Sequence, residues 1–235
     1  MIVAPTFDVE RALFARGICT LAALDEVGRG ALAGPVSVGA VLIDSSVGPP
    51  PDGLRDSKLL SAAARTRLAP LIVTWVGNWS VGHASPAEID QWGIMTALTL
   101  AARRALAGLC ARFDAVLLDG TIDYVSLPTP LGFDRTDPAI ADGANGVILS
   151  PTAVTTRAKA DRDCASVSAA SVLAKVTRDA LMVAAGAEYP QYQWARNKGY
   201  GTGAHAEALA QYGPCDSHRR SWHLPERRVA APTSI

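Results

Sequence analysis

The stretch LAALDEVGRGALAGP, residues 21–35, limits what this chain can fold into more than any other. An apolar run, the mark of a buried strand, ends in two adjacent acids, Asp25 and Glu26. Carboxylates are seldom buried without a partner, so this strand must surface at a point where something meets its charges. Gly28, Arg29 and Gly30 follow at once. Glycine lets backbone approach a ligand closely, and arginine grips phosphate with two parallel hydrogen bonds. Two readings stand at this point. The acids hold a cation and the arginine meets a polyanion, or the segment is an ordinary strand end and turn. Neighbours on a strand point to opposite faces. For both acids to serve one site the strand must end or twist there, and Gly28 and Gly30 suggest an early end.

Other segments supply more acids. FDAVLLDG, 113–120, reads as a short apolar strand ending in Asp119, and Asp161 sits in RAKADRD just before a long Ala- and Ser-rich helix, 164–187. Functional crevices of α/β sheets lie at strand ends. Acids gathered there repel one another unless a cation intervenes, and hard divalent cations such as Mg²⁺ suit carboxylates. Further strands are expected at 18–26, 34–44, 78–85 and 146–156. One helix is expected from Ser61, ended or kinked by Pro70. Another is expected from Ser85 to about Cys110, opened by Pro86 and a capping box with Glu88. Residues 189–205 read as a loop, followed by a short helix near 204–212 and a basic tail. The sum is an α/β protein: a short leader (1–17), a sheet layered with helices (18–187) and a helical C-terminal extension with tail (188–235).

Composition narrows the class. No apolar run reaches the ~18–20 residues of a membrane helix, and the N-terminus lacks a secretory layout. Cys19, Cys110, Cys164 and Cys215 are scattered, which argues against a zinc site or a disulfide framework and for a cytoplasmic protein. The formal net charge is zero, although residues 193–228 hold six Lys/Arg against three acids. On charge alone that stretch reads as a solvated face.

The motifs, taken together, carry a family resemblance. LDEVGRGALAGPV resembles the ribonuclease HII signature, a D-E-A-G-R-G run followed by G-P. DSKLL (56–60), VLLDG (116–120), KADRDCASVSAASVLAKVTRD (159–179), NKGYGTGAH (197–205) and GPCDSHRRSW (213–222) resemble further blocks of that family, in the same order. Val27 replaces the usual Ala, Trp222 the usual Phe, and the segment from Asp119 to Asp161 is long. The resemblance implies a ribonuclease H-like fold, a mixed five-stranded sheet flanked by helices with a helical C-terminal part. It implies metal-dependent cleavage of RNA–DNA hybrids and nicking 5′ of single ribonucleotides in duplex DNA, leaving 3′-OH and 5′-phosphate ends.

It also implies residue roles. Asp25, Glu26, Asp119 and Asp161 would hold two Mg²⁺ or Mn²⁺ ions, with the loop acids Asp123, Asp134, Asp137 and Asp142 as rivals for the fourth place. Gly28, Arg29 and Gly30 would sense the 2′-OH at the RNA–DNA junction. Tyr200 would stack on the neighbouring deoxyribose. Lys58 would contact a phosphate, as would the region of Ser168 and Ser171. His205 and His218 are expected to serve as scaffold. The expected partners are RNA–DNA hybrids and ribonucleotide-containing duplex DNA, bound by a monomer, with no membrane and with protein partners left open. The rivals are a hybrid-only ribonuclease HIII, a non-catalytic nucleic-acid-binding module, and a Mg²⁺ phosphotransferase on another α/β fold. Arg29 and the short leader weigh against the first, the four carboxylates against the second, and the DSK, AAS and KGY blocks against the third.

Overall fold

A computed structural model describes residues 4–128, 137 and 153–226. Five strands form one sheet: β1 (Thr20–Val27), β2 (Val36–Asp44), β3 (Trp79–Ala84), β4 (Ala115–Asp119) and β5 (Ala153–Arg157). Their spatial order is β3-β2-β1-β4-β5. β1 pairs antiparallel with β2, and β2 with β3, while β1–β4 and β4–β5 are parallel. This is the mixed five-stranded sheet flanked by helices that the resemblance implies.

Alternation along β1 divides the core into two layers. Ala22 and Leu24 pack with α3 (Pro86–Ala107), whereas Leu21 and Ala23 pack against α5 (Ala165–Glu188) and α2 (Ala62–Val76). The α3 capping box forms as expected: Ser85 Oγ accepts from Glu88 N, and Glu88 Oε2 accepts from Ser85 N at 2.7 Å. Such caps contribute about 1 kcal/mol. α3 is interrupted at Gly93, whose φ of 78° is non-helical.

Three expectations are corrected. Pro70 neither ends nor breaks α2, which runs on to Val76. Leu68 and Ile72, on either side of it, are buried, and Pro70 lies on the exposed face. Packing thus outweighs the lost backbone bond. The leader is more ordered than expected. α1 (Asp8–Ala15) buries Glu10, whose Oε1 accepts from Ser166 N (3.0 Å) and Ser166 Oγ (2.7 Å) at the start of α5. A carboxylate there satisfies orphan amides and meets the positive end of the helix dipole. Third, β1 does not stop at its acids but pairs with β2 as far as Val27.

The stretch 189–205 holds a short 3-10 turn, Pro190–Tyr192, and α6 (Trp194–Asn197); α7 (Gly203–Tyr212) follows. Tyr192, Trp194, Ala208 and Leu209 form a separate cluster with Ala33 and Met182. Part of the expected strand 146–156, most of the 121–150 segment and the tail from 227 lie outside the described residues. Among the described residues, no helix is long and apolar enough to cross a membrane.

Candidate active site

Sheet register explains how neighbouring acids share a site. β1 pairs with β4 only from Leu21 to Leu24, although its β2 edge continues to Val27. Leu24 and Leu118 are the last matched pair, so Asp25 and Asp119 leave two parallel strands side by side. The β4 edge of β1 is open from that point, and Glu26 can reach the same space. One carboxylate oxygen from each of Asp25, Glu26 and Asp119 lies within 4.8 Å of the others. No His or Cys belongs to the group. An all-oxygen donor set fits Mg²⁺ or Mn²⁺ better than zinc.

The electrostatics fit a cation too. Burial holds Asp25 well above the usual carboxylate range; Glu26 and Asp119 push the same way, against a hydrogen bond from Ser171. Burial also raises Glu26, helped by Asp119. Burial raises Asp119, helped by Asp161. A divalent cation would relieve all three.

Asp161 lies beside this trio rather than in it. It is buried on the short helix α4 (Ala160–Asp163), its backbone N–H donates to Asp119 Oδ1 (3.3 Å), and its Oδ2 accepts from Lys58 Nζ (3.0 Å). Burial opposes the Lys58 charge, but Asp25 and Asp161 outweigh it and raise the ammonium above its ordinary range. The two described loop acids are elsewhere. Asp123 caps its own turn by accepting from Val125 N and Ser126 N, and Asp137 pairs with Arg104. Asp134 and Asp142 lie outside the described residues.

Ser168 and Ser171 are buried and use their hydroxyls internally. Ser168 Oγ donates to Asp161 O (2.7 Å), while Ser171 bonds Asp25 and Ser57 Oγ (2.8 Å). In the substrate-free structure these hydroxyls thus brace the backbone of Asp161 and the carboxylate of Asp25.

Gly28, Arg29 and Gly30 follow directly on β1. Arg29 is exposed, with Nη1 3.8 Å from Glu26 Oε1. Gly28 has φ +82°, and a Cβ there would lie 2.0 Å from Arg178 Nε. Two buried arginines, which sequence reasoning missed, stitch this loop in place. Arg219 donates to the carbonyls of Gly28 (2.6 Å), Arg29 (2.8 Å) and Gly34. Arg178 donates to Pro35 O, Ala33 O and Lys198 O. Among the described residues neither has a carboxylate partner in its hydrogen bonds; backbone oxygens take their donors. Arg219 also stands 4.8 Å over the Trp222 ring. The motif positions of both were visible in the sequence, but no charge count distinguishes a buried arginine from a solvated one. The basic C-terminal stretch is thus not simply a solvated face.

The Tyr200 loop docks on the same scaffold. Leu32 N (2.8 Å) and Ala33 N (3.2 Å) both donate to Gly199 O. Gly199 has φ +83°, and a Cβ would sit 2.4 Å from Ala33 O. Arg178 and Lys175 lie 5.3 and 5.4 Å from the half-buried Tyr200 ring. Behind it, the indole of Trp194 donates to His205 Nε2 (3.2 Å), which leaves His205 Nδ1–H to donate to Tyr200 O (3.0 Å). His218 Nε2 bonds the same His205 atom (3.1 Å), and burial with His205 nearby pushes His218 down to about 4. Both imidazoles are buried and spend their ring nitrogens on hydrogen bonds within this cluster.

Comparison with known proteins agrees with this picture. The family model for ribonuclease HII matches residues 22–224. The ribonuclease HII of Streptomyces avermitilis is 45% identical over 219 residues, covering 93% of this chain and 83% of the relative. The ribonuclease H2 structure from Pyrococcus horikoshii OT3 superimposes with a TM-score of 0.65 at 27% identity, covering 87% of this chain and 94% of that one. A structure of Bst-RNase HIII in complex with Mn²⁺ shares the fold, with a TM-score of 0.56 at 21% identity over 87% of this chain and 67% of that one. A match of this extent assigns the chain to the ribonuclease HII family, and it is an endoribonuclease that acts on RNA–DNA hybrids.

Proposed function

We propose that this ribonuclease also nicks duplex DNA on the 5′ side of a single embedded ribonucleotide, leaving 3′-OH and 5′-phosphate ends. The observation that carries the reading is the docking of the Tyr200 loop onto Leu32 and Ala33, in the turn that carries Gly28–Gly30 away from the carboxylate trio. A junction sensor needs polar groups at the 2′-OH and an apolar wall at the next sugar. These two loops supply them side by side.

In the proposed mechanism Asp25, Glu26 and Asp119, with Asp161 at their edge, would hold Mg²⁺ or Mn²⁺, two ions once substrate is bound. Those ions would activate a water and stabilise the leaving 3′-oxygen. Backbone at Gly28 and Gly30 meets the 2′-OH, Arg29 meets a phosphate, and Lys58 leaves Asp161 for another. Tyr200 stacks on the deoxyribose that follows the ribonucleotide. Residues 188–235 act as the substrate-binding extension of an 18–187 catalytic domain, and one chain suffices, because every named group comes from a single copy.

The test is a labelled DNA duplex with one ribonucleotide, with and without Mg²⁺ or Mn²⁺, beside an all-DNA control. A metal-dependent nick 5′ of the ribonucleotide is expected. Cleavage of a long hybrid with no nick here would return a hybrid-only specificity. Tyr200→Ala should cut single-ribonucleotide cleavage by about 10–100-fold, with binding weakened far less; base and sugar stacking is worth about 1–3 kcal/mol. Equal rates for variant and wild type would remove the stacking role.

A further inference from the structure

Among the described residues, three buried side-chain atoms lack a hydrogen-bond partner: Glu10 Oε2, Asp56 Oδ2 and the Tyr124 hydroxyl. The first two are carboxylate oxygens whose sister atoms are bonded, Glu10 Oε1 to Ser166 and Asp56 Oδ1 to Lys58 N. Tyr124 differs. Its hydroxyl is its single polar side-chain atom, and it is a donor with no acceptor. Native interiors rarely keep such a group without a reason, such as a catalytic role, stored strain, or a water or ion that meets it.

Its surroundings suggest the use. Tyr124 belongs to the α3-side core layer with Leu24 and Leu118, the residues just before Asp25 and Asp119. Glu26 follows Leu24 by two residues, so its side chain leaves the strand on that same face. The charges that act most on the Tyr124 hydroxyl are those of Glu26, then Asp25 and Asp119. Its backbone is pinned. Thr99 Oγ1 donates to Tyr124 O (2.7 Å), Arg103 Nε donates to Val125 O (3.2 Å), and Asp123 caps the turn. The ring itself is buried in the core. Glu26, by contrast, is loosely held: its ion pair with Arg29 spans 3.8 Å, longer than a hydrogen bond.

We propose that Tyr124 is a positioning residue for Glu26: once a divalent cation sits among the carboxylates, Glu26 turns inward and the Tyr124 hydroxyl donates to it. The inference rests on the cation reading of the carboxylate trio. It gives the unpaired donor an acceptor in the cation-bound protein. The cation-free protein carries the cost of the orphan hydroxyl, and the cation-bound protein recovers it as a short, charge-assisted bond.

The experiment is a thermal titration with Mn²⁺ alone, which yields the dissociation constant from the rise in melting temperature. Tyr124→Phe keeps the ring and removes the donor. Without metal it should melt at the same temperature as wild type or higher, because an unpaired buried hydroxyl has gone. Its Mn²⁺ affinity should fall about tenfold, the usual scale for loss of a ligand's supporting bond. These opposite signs separate positioning from packing, since a packing defect would lower the metal-free melting temperature. Equal Mn²⁺ affinity in variant and wild type would overturn the proposal, as would a lower metal-free melting temperature. If wild type showed no Mn²⁺-dependent stabilisation, the cation reading itself would fall and the proposal with it.

Discussion

Asp119→Asn should lower cleavage by about a thousandfold or more while the metal-free protein melts no lower than wild type. The first effect follows from removing a charge at the centre of the trio; several kcal/mol of transition-state stabilisation corresponds to such a factor. The second follows from the cost the trio imposes. Burial raises Asp25, Glu26 and Asp119 above their usual ranges, and repulsion within the group adds to it. An acid raised by folding stabilises the fold fully below its unfolded value, near 4, and loses that contribution as pH climbs through its raised value. At neutral pH the trio is therefore a liability without a cation. The melting-temperature difference, Asp119→Asn minus wild type, should widen as pH rises from 4 to 7 and shrink when Mg²⁺ is added. Calorimetry over that pH range, beside hybrid cleavage assays, checks both halves. Near wild-type cleavage in the variant would take Asp119 out of the site.

Arg219→Met should remove about 3–5 kcal/mol of stability, a large share of the ~5–15 kcal/mol that domains possess. Methionine fills much of the space but leaves the carbonyls of Gly28, Arg29 and Gly34 without their donor. Burial and the neighbouring Arg178 push Arg219 down, yet a guanidinium stays charged, so the variant also removes a buried cation that backbone oxygens had solvated. Single-ribonucleotide cleavage should fall even well below the melting midpoint, because the junction loop has lost its anchor. Arg219→Lys should rescue little, since one ammonium cannot reproduce the guanidinium's fork. Urea unfolding curves and cleavage assays at low temperature measure the two effects. An unchanged midpoint would show that the loop holds itself.

The parts that were legible in the sequence share a physical reason. Strands β1 and β4 announce themselves because apolar runs end in acid, and α3 because Ser85, Pro86 and Glu88 form a local cap. Local chemistry decides these features. What escaped depends on distant partners. The shared space of Asp25 and Glu26 arises because β4 stops pairing where β2 continues, a register difference invisible along one strand. α1 is ordered by Ser166, 156 residues beyond Glu10. Pro70 stays within α2 because burial on either side pins the helix. The buried role of Arg178 and Arg219 and the orphan hydroxyl of Tyr124 exist only once remote segments have closed over them.

The mutual clasp of the Gly28–Gly34 and Asn197–Tyr200 segments has a consequence for anyone who would re-engineer specificity. Neither is a detachable cassette. Exchanging the first for the corresponding piece of a hybrid-only enzyme with a different backbone path would move the carbonyls that satisfy Arg178 and Arg219 and the amides that hold Gly199. A working chimaera must carry four pieces together: both segments, the α5 turn bearing Arg178 and the C-terminal turn bearing Arg219.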